Sequence, residues 1–336
     1  MDSFRVRTLG ARLAQACMVA AAGIGALAAP SAQAQAQAPY PSRPITMVVP
    51  FPPGGPTDLV ARVLAQKMTE QMGQQIVVDN RGGANGNIGS GFVAKAPADG
   101  YTVLYNTSSI TLSPSLYKKL SYDVQRDLVP VALTATVPLG LVVNPSLPVN
   151  NVSEFIAYVK AHPGKLSYGS AGAGNVTHLG AFQFLQTANI DAVHVPYKGS
   201  APADADLVGG QIQFMTDTVN SIAGFVREKR LRLLAVTTSK RVDLFPDVPT
   251  LAESGMPGFE VSAWQGIMAP ANTPQPIIHR LNTELMKALQ NPDVQKKLAI
   301  QGAIPLGSTP EEYGAYIKSE LTRWAAIVKQ TGVSLE

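Results

Sequence analysis

The chain has 336 residues, of which 46% are hydrophobic and 15% are charged, and it contains a single cysteine. This length allows a large buried core and is sufficient for two domains of ordinary size. The net charge of +4 comes without a basic run interleaved with aromatic side chains, which argues against a nucleic-acid partner.

The first 38 residues have the pattern of a secretory signal peptide. Three arginines precede an alanine-rich apolar run, Ala14–Ala29, and residues 32–38 offer several small-x-small cleavage sites. Because the apolar run is shorter than the ~20 residues that a spanning helix needs, we favour cleavage over a membrane anchor. Cleavage would remove Cys17 and lower the net charge to +2, since three arginines and one aspartate leave. The sequence therefore predicts an exported, periplasmic protein without disulfides, thiolate metal sites or a cysteine nucleophile.

Strand and helix patterns alternate along the next part of the chain. Strands are predicted at Ile45–Phe51, Gln75–Asp79 and Tyr101–Asn106, and helices at Asp58–Met72 and Ile88–Lys95. A long apolar stretch, Leu133–Asn144, follows and is expected to be interrupted at Pro138 and Gly140. The alternation argues for β-α-β units with parallel strands.

A second set of units follows, and Ser153 is the expected N-cap of its first helix. Further strands are predicted at Leu166–Gly169, Ala192–Tyr197, Gln213–Thr216, Leu231–Thr237 and Val261–Met268. Further helices are predicted at Thr177–Ala188, Ala203–Gly209, Ser221–Glu228, Pro276–Gln290, Pro292–Gln301 and Pro310–Lys329.

This order predicts an α/β protein with two lobes, each a mixed, mostly parallel sheet flanked by helices. We assign residues 40–140 and 263–336 to lobe 1 and residues 141–262 to lobe 2. The chain would cross between the lobes near Leu139–Val143 and again near Val261–Gly266, and these crossings would form a hinge.

Glycine-rich loops follow several of the predicted strands. They are Pro53–Asp58, Gly82–Asn87, Ser170–Asn175 and Lys198–Ala201. Ligands of open α/β sheets bind beyond the carboxyl ends of the strands. A glycine turn before a helix leaves backbone N–H groups free for an anion, and Thr57 or Asp58 is the expected N-cap of the first helix. The recurrence of such loops predicts an anion-binding cleft.

These segments resemble the periplasmic receptors of the tripartite tricarboxylate transporter family, also called Bug-type proteins. Pro50–Asp58 fits the family pattern Pro-Phe-x-x-Gly-Gly-x-x-Asp. Other matching segments are Asn80–Gly89, Pro97–Thr102, Ser170–Asn175, Pro196–Gly199 and Phe245–Thr250. The resemblance implies a two-lobe receptor that closes on a small carboxylate and hands it to a membrane permease. It also implies that lobe 2 grips the carboxylate directly, while ordered waters link it to the first loop.

The candidate ligand-binding residues are polar groups and loop N–H groups that could donate to a carboxylate. They are Phe51, Gly54, Gly55, Thr57, Asp58, Ser108, Ser170, Ala171, Gly172, Asn175, Thr177 and Asp217. Ser109 is a further candidate for the cleft wall. Asp217 is expected either to orient the distal polar group of the ligand, or a water, or to cap a helix. The chemistry admits tricarboxylates, dicarboxylates, acidic amino acids and aromatic acids.

No catalytic residue, metal or cofactor is expected, and we expect a monomer. Ser170 lacks the first glycine of a nucleophile elbow, and the four histidines have no metal-ligand spacing. His178 could face the cleft, but we favour a position in the core or on the surface. Arg81 could form a salt bridge with the ligand, but we favour a role in bracing its loop. Trp264 is expected either to pack in the hinge or to form a cleft wall. The alternative function is a periplasmic hydrolase of the same two-lobe shape.

Overall fold

The computed structural model describes residues 40–335 of the protein. The predicted signal peptide, including Cys17, lies outside the described residues. Within residues 40–335, no helix combines the length and apolarity needed to cross a bilayer.

The described chain alternates between strands and helices, as the sequence predicts, with most boundaries within three residues. The strands are β1 (Ile45–Val49), β2 (Ile76–Asn80), β3 (Thr102–Thr107), β4 (Leu128–Val143), β5 (Ser167–Ser170), β6 (Val193–Pro196), β7 (Phe214–Thr218), β8 (Arg232–Val236), β9 (Ser262–Pro270) and β10 (Ile304–Pro305). The helices are α1 (Pro56–Met72), α2 (Asn87–Ala94), α3 (Ser109–Leu116), α4 (Val124–Asp127), α5 (Val152–Ala161), α6 (Val176–Ala188), α7 (Ser200–Val208), α8 (Val219–Arg227), α9 (Gln275–Gln290), α10 (Pro292–Ile300) and α11 (Pro310–Thr331).

The strands form a mixed sheet in the order β2-β1-β3-β9-β4-β7-β5-β6, with β8 and β10 also paired to β4. β1 pairs in parallel with β2 and β3, and β5 pairs in parallel with β6 and β7. Every pair that involves β4 or β9 is antiparallel. The parallel units expected from the alternation therefore flank a central antiparallel pair.

Strand β4 joins two halves of this sheet. Its residues up to Pro138 pair with β9, whereas Leu139–Val143 pair with β7 and β8. Proline cannot donate to a strand ladder, so Pro138 is tolerated where the partner strand changes. We call β1, β2, β3, β9, β10 and the start of β4 the first half, and β5 to β8 with the end of β4 the second half. The lobe boundaries drawn from the sequence stay a prediction.

Each half has its own apolar core. In the first half, helices α1 and α9 bury residues such as Leu64 and Leu281 against the sheet. In the second half, the ring of Phe155 lies 4.9 Å from that of Phe214 and 6.0 Å from that of Phe184, measured between centroids. These cores hold the strand ends, where the polar loops lie, in fixed positions.

The long helix α11 packs against both halves, with Tyr313 in the core beside β9 and Trp324 in the core of the second half. Glu320 is buried and accepts hydrogen bonds from the indole Nε1 of Trp264 at 3.0 Å and of Trp324 at 2.8 Å. Trp264 also meets the ring of Tyr313 edge-on at 5.8 Å. Trp264 thus packs in the protein interior, near the start of β9.

Two predicted helix caps are wrong. Gly55, not Thr57 or Asp58, is the N-cap of α1, because Pro56 takes the first helical position, which suits its fixed φ and missing N–H. Asn151, not Ser153, caps α5, and its side chain accepts from the N–H of Glu154 at 2.9 Å. In both cases a second residue with good capping chemistry stands two or three positions away.

Candidate functional site

A cavity of about 160 Å³ opens between the two halves of the sheet. Seven predicted site residues line it, namely Phe51, Thr57, Ser108, Ala171, Asn175, Thr177 and Asp217. The other lining residues are Pro56, Asn85, Thr107, Ser109, Leu112, Val137, Val176, Ser200, Thr218, Ala263 and Gln265. Both halves therefore contribute, as a ligand enclosed between them would require.

Five helices begin at this cavity. Its lining includes first-turn or N-cap residues of α1, α3, α6, α7 and α8, namely Thr57, Ser109, Asn175, Ser200 and Thr218. Each helix N-terminus carries roughly half a positive charge from its aligned peptide dipoles. None of the lining residues is a lysine, arginine or histidine. The attraction for an anion therefore comes from peptide dipoles and polar side chains.

The loop between β1 and α1 is held by the buried carboxylate of Asp58. Its Oδ2 accepts from the N–H of Gly54 at 2.8 Å and from Arg62 Nε at 2.9 Å, and its Oδ1 accepts from Asn80 Nδ2 at 2.9 Å. Gly54 has a φ of +80°, which favours glycine. Burial acts to raise the pKa of Asp58, but these hydrogen bonds outweigh it and leave the pKa below its ordinary value. Gly54, Gly55 and Asp58 lie outside the cavity lining, and Asp58 acts as a brace for the loop.

The loop between β5 and α6 also uses several of its own donors. The N–H of Ala171 donates to Thr177 Oγ1 at 2.9 Å, and the N–H of Gly172 donates to Ser170 Oγ at 3.3 Å. Asn175 caps α6, since its Oδ1 accepts from the N–H of Thr177 at 3.1 Å. Two N–H groups expected to face a ligand are therefore already satisfied. The Nδ2 group of Asn175 has no protein partner among residues 40–335, so it remains available as a donor.

Ser170 and Gly172 lie outside the cavity lining. Ser170 is fully buried, and its Oγ lies 2.7 Å from Nε2 of His194. The rings of His178 and His194 are stacked with centroids 3.7 Å apart. Burial lowers the pKa of His178 to about 3, with a contribution from His194, and lowers that of His194 to about 4. The two imidazoles are thus neutral supports beneath the loop, and Ser170 has no access to a substrate.

Asp217, at the end of β7, is the one titratable residue of the lining. It is fully buried, and its Oδ1 accepts from Ser200 Oγ at 2.9 Å and from the N–H of Thr218 at 2.6 Å. Burial raises the pKa of Asp217, and the neighbouring Asp204 raises it further. Because Thr218 is itself the N-cap of α8, Asp217 does not occupy the capping position considered for it.

Gln265 is a lining residue that the sequence reasoning missed. It lies on β9, where its Oε1 accepts from the hydroxyl of Tyr105 at 2.8 Å. The hydroxyl oxygen of Tyr105 also lies 3.0 Å from that of Thr134, and the Thr134 hydroxyl donates to the backbone carbonyl of Gln265 at 2.9 Å. This buried network fixes the amide and directs its Nε2 away from these partners. A glutamine in a strand interior gives no local signal in the sequence.

Asn85 is also a lining residue, and it lies in a glycine-rich loop that the sequence did single out. Its φ of +54° is uncommon for a residue with a Cβ and places it on the tight turn before α2. Arg81, at the start of that loop, lies outside the lining. Its Nε lies 2.7 Å from Asp79, and its guanidinium covers the ring of Phe92 at 3.6 Å. It braces the loop, as expected.

The sequence matches the tripartite tricarboxylate transporter family receptor over residues 60–333. The chain belongs to this family. Its members are solute-binding receptors, a non-enzymatic class, so the hydrolase alternative has no support.

Three solved structures illustrate the likeness. Rpa4515 of R. palustris, solved with adipate, is 38% identical with a TM-score of 0.79, over 88% of this chain and 99% of that chain. The periplasmic binding protein BugD is 38% identical with a TM-score of 0.76, over 88% of this chain and all of that chain. MatC of Rhodopseudomonas palustris, with bound malate, is 35% identical with a TM-score of 0.74, over 86% of this chain and all of that chain. The fold is thus the two-lobe architecture of periplasmic binding proteins.

Proposed function

We propose that this protein is a periplasmic receptor that holds a small carboxylate in the cavity and delivers it to a tripartite tricarboxylate-type permease. The observation that carries the proposal is the convergence of five helix N-termini on a cavity lined by no basic side chain. The family membership supports the same reading, as do the adipate and malate bound by two related receptors. In this proposal residues 1–38 are the cleaved leader and the mature chain acts as a monomer.

Residues 40–140 and 263–336 form lobe 1 and residues 141–262 form lobe 2 in this proposal, with the ligand enclosed between them. On lobe 2, Asn175 Nδ2 and the first turn of α6 donate to one carboxylate. On lobe 1, the first turn of α1 at Thr57 faces the same space and contacts the ligand directly or through a bridging water. Such a water costs little affinity. Charge-assisted hydrogen bonds of this kind are about twice as strong as neutral ones.

The remaining walls limit the size and chemistry of the ligand. Leu112, Val137, Val176 and Ala263 are apolar, and Val137 and Ala263 pair directly across β4 and β9. A cavity of about 160 Å³ is smaller than the roughly 300–1,000 Å³ of pockets for drug-sized ligands. We therefore infer that the ligand is an aliphatic acid of a few carbons, with its carboxylate at the helix N-termini and its chain against these walls.

A thermal-shift screen of small mono-, di- and tricarboxylic acids on the chain without residues 1–38 tests the proposal. At a ligand concentration 100 times the dissociation constant, binding adds about 2.7 kcal/mol of apparent stability. We expect a shift for at least one short aliphatic acid and recovery of that acid unchanged by mass spectrometry. The absence of any shift across the panel, or steady conversion of the acid, would overturn the proposal.

A further inference from the structure

Two buried aspartates lie in neighbouring elements beside the cavity, Asp204 on α7 and Asp217 at the end of β7, and of the two Asp217 lines the cavity. Asp204 is 2% exposed and Asp217 is fully buried. The Oδ2 of Asp204 accepts from Ser221 Oγ at 2.6 Å, and its other oxygen, Oδ1, is buried without a donor among the described residues. Asp217 has the same arrangement. Its Oδ1 accepts from Ser200 and Thr218, and its Oδ2 is buried without a donor among the described residues. Ser200, which donates to Asp217, lies one helical turn before Asp204 on α7, and Ser221, which donates to Asp204, follows Thr218 in the first turn of α8, so the two carboxyl groups face each other.

The pairing of these two groups requires a proton. An ionised carboxylate only accepts hydrogen bonds, so two ionised carboxylates in contact repel and leave both oxygens unsatisfied. One proton between Asp204 and Asp217 turns this repulsion into a hydrogen bond and satisfies both orphan oxygens at once. The serine and threonine donors already occupy the opposite oxygens, so the proton has one place to bind.

No cation compensates the pair from the elements packed around it. Lys198, in the turn before α7, is exposed, and Asp206 on α7 accepts from the hydroxyl of Tyr197 outside the cavity. On the side of β5 and β6, His194 is neutral because burial lowers its pKa. Arg227 is exposed at the far end of α8, and Arg232 on β8 donates to backbone carbonyls. The charge of the pair is therefore set by its own protons.

We propose that Asp204 and Asp217 share one proton at the cavity wall and that the receptor binds its acid together with this proton. The inference rests on the proposed function, because a carboxylate ligand is repelled less by a pair that keeps one proton than by a doubly ionised pair. Loss of the shared proton adds a full negative charge to a wall that contains no basic side chain. Proton and acid therefore stabilise each other in the cavity.

The pKa directions agree with this arrangement. Burial raises the pKa of Asp204 above its ordinary value, and burial together with Asp204 raises that of Asp217. The shared proton is therefore retained at pH values where an exposed aspartate has long lost it. A bound carboxylate raises the proton affinity of the pair further, and by linkage the affinity for the acid falls as the proton leaves.

Titration calorimetry with adipate and with malate tests the linkage, at pH values where both acids are fully ionised and at constant ionic strength. We expect the affinity of the wild type to fall by up to about tenfold per pH unit on the alkaline side, as one linked proton requires. Buffers of different ionisation enthalpy should report uptake of up to one proton on binding. In Asp204→Asn, the amide donates permanently to Asp217 and still accepts from Ser221, so the pH dependence should disappear. Asp206→Asn, on the same helix but bonded to Tyr197 rather than facing Asp217, should keep it.

The ligand-free protein provides a separate readout. An infrared band of a protonated carboxylic acid should be present in the wild type at neutral pH and absent from Asp204→Asn. Asp217→Asn should remove the same band and serves if the first variant does not fold. A missing band, or an affinity independent of pH in the wild type, overturns the shared proton even if acids bind. If the band is present and no acid binds, the shared proton is confirmed and the proposed receptor function is wrong.

Discussion

Replacement of Asn175 by aspartate tests the proposed grip on the carboxylate with little disturbance of the fold. Asn175 is the N-cap of α6, and its Oδ1 accepts from the N–H of Thr177. Asparagine and aspartate are equally good N-caps, and an aspartate can keep this hydrogen bond. A negative charge at a helix N-terminus is itself favourable by about 0.3–1 kcal/mol. The melting temperature of Asn175→Asp without ligand should therefore stay unchanged or rise slightly.

The same change should weaken ligand binding strongly. It removes the Nδ2 donor and places a negative charge at the cavity wall. Two unit charges about 5 Å apart repel by about 3 kcal/mol at an effective dielectric constant of 20, before screening by salt. A lost hydrogen bond to a charged group adds about 1.5–3 kcal/mol. After screening, we expect the dissociation constant to rise by about a hundredfold, which corresponds to about 2.7 kcal/mol.

Calorimetry with the best acid from the screen measures this effect, and Arg81→Gln is the matched control. Arg81 lies outside the cavity lining and contacts Asp79 and Phe92, so its loss should change the dissociation constant by less than about threefold. If Arg81→Gln weakens binding more than Asn175→Asp does, Arg81 is the anchor and the assignment of the grip to α6 is wrong.

Two further predictions concern acid stability and closure. His178 and His194 are neutral in the fold with pKa values of about 3 and about 4, so their stabilising contribution is present above about pH 6.5 and is lost as the pH falls. For His178 this amounts to about 2 kcal/mol of unfolding free energy between pH 7 and pH 5, with a smaller share from the partly exposed His194. Urea unfolding at both pH values should show this loss, and His194→Gln should reduce it. If the wild type and the variant lose the same unfolding free energy between these pH values, another group is responsible for the titration. A spin-label pair at Pro53→Cys and Ala173→Cys, both exposed and in a chain without cysteine after residue 17, should come closer together when the acid saturates the protein. An unchanged label distance would mean that the cavity is preformed and rigid.

The fold was largely predictable because its signals are local. Alternating apolar strands and proline-opened helices such as Pro292–Ile300 appear in the sequence at nearly the positions that the structure gives them. Helix α3 was missed because Ser109–Leu116 contains Pro114 and several serine and threonine residues, which favour turns. Strand β4 was expected to be interrupted, yet it is continuous, since its neighbours on both sides supply pairing partners that the sequence does not reveal.

The position of the cavity was predictable from the sequence, but the hydrogen-bond partners of its individual groups were not. The glycine loops indicated where helix N-termini meet, and seven of the predicted residues line the cavity. The allocation of individual N–H groups was not readable, because Gly54 and Ala171 donate to side chains several positions further along the chain. Gln265 and Asp204 are held by contacts with Tyr105 and Ser221, residues that lie on other elements.

The identity of the acid depends on the parts of the cavity that the family motifs do not encode. Helix N-termini attract any carboxylate, because peptide dipoles are the same whatever the side chains. Selection between acids therefore falls to the apolar walls, such as Leu112 and Val137, and to the two polar groups at strand positions, Gln265 and Asp217. A ligand that leaves a buried amide or carboxyl group of the cavity unpaired loses more binding free energy than a ligand that only fits loosely. The reason is that an unsatisfied buried polar group costs about 1–3 kcal/mol. If the proposed carboxylate grip lies on α6, substitutions on β4, β7 and β9 should change the ligand while that grip stays the same.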